Sequence, residues 1–328
     1  MRRPGLRIGA CLSLTGRYAR FGLQAAAALE TWRRLDRDVE LIIEDDASDP
    51  VRLTALIGEV ASGCDLLLGP YSTQLMRAAA RALAGRDRLI WNHGGSGDDV
   101  EGALPGRIVS LPAPASRYAA PFLRRLAERR DRAPLRIVRG RGSFGRQVAA
   151  GAEALARELG LGVTRSEPAG AAWDLLSAGT FEDDIAAVTH ALALPRPPRT
   201  VCSVAAGVQE FARAVADPEG VLGVAQWFPG APPSPGLGPT EAGFLAAHAG
   251  RTGAVPDYPA IQAVAGAVIA KHCAILAGSV APDALWAAAA SLDTSTLFGG
   301  FRIAPGTGVQ VKHETVLVRW SAGRLRRE

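Results

Sequence analysis

Up to residue 227 the chain alternates short apolar runs with longer alanine-rich stretches of helical length. The apolar runs predict strands at 6–14 (LRIGACLSL), 39–45 (VELIIED), 65–70 (DLLLGP), 88–92 (RLIWN) and 107–111 (RIVSL). Helices are predicted between them at 21–35, 50–62 and 73–84, with another after the last at 116–129. Asp49 is placed to cap the free amides of the second helix, and Pro50 takes its first position. After a proline-containing break at 112–116 the alternation resumes, with strands at 135–140, 162–167, 199–204 and 221–227. Helices at 145–159, 181–193 and 207–216 fall between these strands. Such alternation predicts parallel sheets covered on both faces, and hence an α/β chain with two such units. Beyond a proline-glycine loop at 228–239 the pattern changes to helices at 240–250, 256–277 and 282–291, closed by strands at 299–305 and 309–320.

Composition narrows the function classes. At 328 residues, with 48% hydrophobic and 21% charged residues, the chain has room for two globular cores. A net charge of +5 raises nucleic acid as a partner, but the excess is nearly all arginine, lysine occurring only at Lys271 and Lys312. Basic and acidic residues interleave, as in LRRLAERRDR at 123–132, which reads as a solvated helix face. No nucleic-acid partner is therefore expected. Cys11, Cys64, Cys202 and Cys273 are scattered and fit buried thiols better than a zinc or dithiol site. The amino terminus is basic but enters a strand directly, without the apolar core of an export signal. No stretch is apolar and uncharged over the roughly 18–20 residues of a membrane span. The expectation is a cytoplasmic protein without membrane insertion; a start further upstream would allow a periplasmic or lipid-anchored one.

Two sets of loops compete as the functional site. Gly140, Gly142 and Gly145 form G-x-G-x-x-G between a strand and a helix, with Glu167 placed where a ribose-binding acid would lie. That spacing alone fits a nucleotide-cofactor enzyme, or a close backbone approach at the edge of any open parallel sheet. In the first half, the strand ends LTGRYARFG (14–22), LLLGPYSTQ (67–74) and IWNHGGSGDD (90–99) bring hydroxyls, amides and rings to one edge. Tyr71, Ser72 and Thr73 start a helix, where free N–H groups favour an anion or carbonyl oxygen. Ser72 also suits a plain helix cap. Gly94, Gly95 and Ser96 let a small ligand lie near the chain, and Asn92 offers both a donor and an acceptor. His93 shares that loop, and the carboxylates at 44–46 read as solvated turn residues. A nucleophile elbow, a phosphate-binding G-x-x-x-x-G-K-[ST] loop and an H-E-x-x-H pair are all absent, so the expectation is a binding protein without cofactor or metal.

IGACLSLTGRYARFGLQAAAALETW, IIEDDASDP, LLLGPYSTQLMRAAARAL and SLPAPASRYAAPFLRRL together resemble the periplasmic-binding-protein type I fold, in its leucine/isoleucine/valine-binding and amide-sensing branch. The C-terminal region from PDYPAIQ to VLVRW resembles it too. The resemblance implies two Rossmann-like lobes joined by three crossovers, 1–112 with 240–306 and 113–239 with 307–328, which close on a small molecule. It implies contacts from Thr73, with Tyr71 and Ser72 beside it, and from the Gly94–Gly95–Ser96 turn. Phe21 and Phe144 stand where the family has tyrosines and are expected to contact the ligand, the glycine loop presenting Phe144 as an aromatic lid over it instead of cradling a pyrophosphate. The acid that holds an ammonium in amino-acid binders follows a further second-lobe strand, and that strand is not visible between 199–204 and 221–227. A neutral amide or urea-like ligand is therefore expected over a branched-chain amino acid. The expected role is a cytosolic sensor acting through a regulatory protein; the alternatives are a transporter receptor working with a permease, and the nucleotide-cofactor enzyme.

Overall fold

A computed structural model describes residues 5–168, 172–232 and 234–328. Arg2 and Arg3 of the basic terminus and Pro233 of the proline-glycine loop lie outside the described residues. The chain runs β1 (Leu6–Leu12), α1 (Ala19–Leu35), β2 (Val39–Asp45), α2 (Pro50–Gly63), β3 (Leu66–Leu68), α3 (Thr73–Ala82), β4 (Ile90–Asn92), β5 (Ile108–Ser110) and α4 (Ala120–Glu128). It continues β6 (Leu135–Arg139), α5 (Gly142–Glu158), β7 (Val163–Thr164), β8 (Asp174–Ala178), α6 (Phe181–Leu192), β9 (Thr200–Ser203), α7 (Phe211–Ala214) and β10 (Leu222–Ala225). It ends α8 (Glu241–Thr252), α9 (Tyr258–Ala277), α10 (Pro282–Ser291), β11 (Thr294–Thr296), β12 (Gly299–Phe301), β13 (Val316–Ser321) and β14 (Arg324–Arg327).

Two compact units result, Met1–Ala113 with Pro229–Glu314 and Pro114–Phe228 with Thr315–Glu328. The chain passes between them three times, and residues 229–239 and 307–314 cluster with the first unit. The first unit carries a parallel sheet in the order β2-β1-β3-β4-β5. The second carries β14-β13-β10-β9-β8-β6-β7, in which the five strands from β10 to β7 are parallel and β13 and β14 antiparallel. Both parallel cores thus share one doubly wound order, which reverses direction between the first strand and the third. Loops diverge at that switch point, between β1 and β3 in one unit and between β6 and β8 in the other.

Local chemistry explains most elements. Asp49 accepts the Val51 amide at 2.8 Å, with Pro50 at the first position of α2. Thr180 and Asp183 form a reciprocal capping box at the start of α6. Helix α9 has the length and hydropathy of a membrane span, contrary to the sequence expectation, yet 72% of its span window is buried among α1, α10, β3 and β4.

The sequence reading misses β8, which has only Leu175 and Leu176 as large apolar residues. Pairing with β6 and β9 makes it a strand, and Arg199 holds the buried Asp174 at its start through two bonds of 2.8 Å. Between β9 and β10, where the acid-bearing strand of amino-acid binders would lie, the described residues form no strand; β8 is an additional strand upstream of that place. The strand predicted at 309–320 begins only at Val316. Gln310 bends the chain before it, its side-chain oxygen accepting the amides of Lys312 at 2.9 Å and His313 at 3.2 Å. The helix predicted at 207–216 shrinks to α7, because Gly207 lies too close to the Val224 carbonyl for a Cβ.

Candidate ligand site

At the β1/β3 switch point, two acids that end β2 build the first loop. Asp45 accepts the amides of Leu14 at 2.9 Å and Ala47 at 2.8 Å and the Thr15 hydroxyl at 2.7 Å. Asp46, fully buried, accepts the Ser13 hydroxyl at 2.6 Å and the Ser48 amide at 2.8 Å. These carboxylates are loop anchors, a correction to their reading as solvated turn residues. Helix α1 then starts close against β1, since a Cβ on Gly22 would meet the Ser13 carbonyl oxygen at 2.0 Å.

This places Tyr18 and Phe21 beside Tyr71 from the second loop. Phe21 stacks on Tyr71 with ring centroids 4.5 Å apart, and Tyr18 lies 6.3 Å from it. The Tyr71 hydroxyl is 3.2 Å from that of Tyr258, at the start of α9. Gln24 and Asp257 fix α9 against α1, the Asp257 amide donating to the Gln24 side chain at 2.9 Å. Sequence reasoning missed Tyr18 and Tyr258; the only signal for the latter was a tyrosine between an N-cap aspartate and a proline.

Next to Tyr71 the backbone is strained. Ser72 has φ 92° and ψ 146°, a region almost reserved for glycine, at a cost of about 1–3 kcal/mol. Its hydroxyl caps α3 by accepting the Leu75 amide at 3.3 Å, and its own amide donates to the Gly94 carbonyl at 3.1 Å. The cap leaves the first two amides of α3, on Thr73 and Gln74, for an outside acceptor. Thr73 is buried, and its hydroxyl accepts the Gly97 amide at 3.0 Å.

The third loop is a support. Asn92 is fully buried and its amide is saturated: it donates to the Gly95 carbonyl at 2.7 Å and the Ser110 hydroxyl at 2.8 Å, and accepts from the amides of Gly94 and Gly95. It has nothing left for a ligand, so its expected contact role is corrected to that of a turn holder. Ser110 in turn donates to the buried Glu101, whose carboxyl burial pushes up. Gly94 and Gly95 are explained by close approach, a Cβ on them meeting Tyr71 at 2.7 Å and Met76 at 2.5 Å. Ser96 is buried in the same turn. His93 is buried too, with neither ring nitrogen hydrogen-bonded among the described residues, and burial pushes its pKa down to about 4.

The β6/β8 switch point of the second unit contains the glycine motif. Gly140 lies back to back with Gly179, where a Cβ would come within 2.2 Å of the Gly179 Cα. A Cβ on Gly145 would meet the Ala178 carbonyl oxygen at 2.6 Å, and Gly142 has φ 89°. The glycines thus serve the packing of two turns. The Arg141 amide, one of the loop N–H groups a phosphate would need, donates instead to the Asp183 carboxylate at 2.9 Å. Glu167, the supposed ribose acid, pairs with Arg136 and with His190. The cofactor reading of this loop is thereby replaced by a structural one. Asp184, one residue on, is fully buried, accepts the Ser177 hydroxyl at 2.7 Å and the Ala205 amide at 2.9 Å, and is pushed by burial up to about 6. Phe144 is half-buried, its ring edge-on to Tyr118 at 5.3 Å. No group of three or more possible metal-ligating side chains occurs among the described residues.

Residues 5–172 match the family described as periplasmic binding protein. No curated protein matches the chain. Among solved structures, the leucine-binding protein LivK of Thermotoga maritima is similar at a TM-score of 0.82 and 13% identity, covering 98% of this chain and 97% of that one. The branched-chain amino acid transporter substrate-binding protein LivJ of Streptococcus pneumoniae, in complex with isoleucine, is similar at 0.81 and 12%, covering 98% of each. A solute-binding protein of an ABC transporter from Rhodopseudomonas palustris, in complex with p-hydroxybenzoic acid, is similar at 0.78 and 17%, covering 99% and 95%. At these identities the likeness is one of fold.

Proposed function

The chain belongs to the periplasmic binding protein family, and on that premise we propose that it is the solute receptor of an ABC-type transporter, taking a small organic acid or amide without a free ammonium. The observation that carries this reading is the strained Ser72, whose cap on Leu75 leaves the Thr73 and Gln74 amides without a partner in the helix, next in sequence to Tyr71 with Phe21 stacked on its ring. A carboxylate or amide oxygen suits those amides, and an apolar or aromatic body suits the rings. The transporter role draws its support from the names of the solved relatives, which favour a receptor over a cytosolic sensor. On this reading the partner is a permease, and the protein works outside the cytoplasmic membrane.

The additional strand β8 brings two further acids into the ammonium argument. Asp183 and Asp184, in the first turn of α6, are both committed to their own unit's amides and hydroxyls. An ammonium without a counter-charge is costly to desolvate. Thermal unfolding with isobutyramide, p-hydroxybenzoate, leucine and isoleucine tests the reading. At a hundred times the dissociation constant a ligand adds about 2.7 kcal/mol of stability. Stabilisation by the amide or the benzoate is expected. Stabilisation by leucine or isoleucine alone would overturn the ammonium argument, and none with any of the four would count against the receptor.

A further inference from the structure

We propose that the second unit carries a separate binding site on its sheet edge, for a small amphiphilic anion with a carboxylate or sulfonate head and an apolar body. The edge strand β7 is two residues long and pairs only with Leu135 and Arg136 of β6. Residues Ile137–Arg139 pair with β8 on one side and, among the described residues, with no strand on the other. Lined by residues of β6, α5 and β7, a groove of about 680 Å³ lies at this edge, within the size range of small-molecule sites.

Its chemistry is two-sided. Ile137, Leu161 and Val163 give apolar lining, and Val163 is 42% exposed despite its β-branched side chain. Arg139, Arg157 and Arg165 line the same groove. Glu153 pairs with Arg139, while Arg157 and Arg165 have no carboxylate partner among the described residues. Guanidinium groups around apolar surface select an anion with an apolar body, because the head gains charge-assisted hydrogen bonds and the body leaves water. A neutral apolar molecule would leave the arginines uncompensated, and inorganic phosphate would leave the lining wet.

Octanoate is the probe, titrated calorimetrically into the full chain at low ionic strength. One binding event is expected, weakened about tenfold or more by the double variant Arg157→Glu/Arg165→Glu, since two favourable head contacts become repulsive. Raising sodium chloride to about 0.5 M weakens it as well, as screening requires. The milder pair Arg157→Gln/Arg165→Gln gives an intermediate loss and guards against a folding defect in the charge reversal. Absence of binding overturns the proposal. So does affinity unchanged in both double variants, or octanoate binding that Tyr71→Ala abolishes, which would assign it to the ligand site of the first unit.

Discussion

The two units wind their parallel strands in the same order, yet their switch points are finished in opposite ways. Between β1 and β3, Ser72 accepts backbone strain, and the first amides of α3 are left for an outside acceptor. Between β6 and β8 the corresponding turn is sealed from within, Gly140 lying against Gly179 and the Asp183 carboxylate accepting the Arg141 amide that a ligand's anion would otherwise take. A glycine motif therefore marks the unit that has closed its turn, and an ordinary-looking serine marks the one that has kept it open. Topology locates a switch point; the residues around it decide whether a ligand can use it.

The largest expected effect separates the units by pH. His93 of the first unit is buried neutral, so its folded pKa of about 4 lies below the unfolded value of 6.5. Its contribution is present above pH 6.5 and is lost as pH falls through about 4. Asp184 of the second unit behaves oppositely: its folded pKa of about 6 exceeds the unfolded 3.8, so its contribution is complete below 3.8 and is lost as pH rises through 6. Each shift corresponds to roughly 3 kcal/mol. Urea unfolding from pH 4 to 7 should show the wild type losing stability on acidification relative to His93→Asn, and gaining it relative to Asp184→Asn. Parallel curves for either variant would break the comparison. Referencing to variants removes the background from Asp46 and Glu101, whose carboxyls burial also raises.

A smaller effect comes from unsealing the second switch point. Asp183→Ala removes the carboxylate that accepts the Thr180 and Arg141 amides and should cost about 1–2 kcal/mol. Millimolar phosphate or sulfate should restore part of that loss by occupying the freed amides, with no such gain in the wild type. If neither anion restores stability, the resemblance between the two turns is only topological. Smallest is Ser72→Gly, which releases a strain of about 1–3 kcal/mol and sacrifices a few tenths in the cap. A net gain near 1 kcal/mol in unfolding free energy is the expected outcome. Destabilisation would mean that Ser72 is not strained.

Much of this fold was legible from periodicity. The strands of the first sheet and the helices from α1 to α6 follow apolar patterning, with β3, β4 and β5 buried throughout. β8 was not legible, since its strand character comes from neighbours on both sides and from an ion pair between Asp174 and Arg199. The early start of α5 was hidden by the glycines at its head. At the candidate site, spacing put Tyr71, Ser72 and Thr73 at the head of a helix, where the structure has them, but promoted Asn92 to a ligand contact. Its saturated amide depends on Ser110, eighteen residues away in sequence, which no local reading reveals. The G-x-G-x-x-G pattern misled for the same reason, because Asp183 lies 42 residues from Arg141.

The most direct test removes one amide from the open switch point. Proline at the second position of a helix already occurs here, at Pro121 of α4 and Pro259 of α9. Gln74→Pro therefore deletes an N–H from the head of α3, on an exposed residue, with little disturbance of the helix. Calorimetric titration of wild type and variant with whichever of p-hydroxybenzoate or isobutyramide stabilises the protein gives the answer. The account predicts a loss of affinity of about tenfold or more, with the melting temperature of the unliganded protein nearly unchanged. Equal affinity in the two proteins would contradict it, and would move the ligand's polar group away from α3.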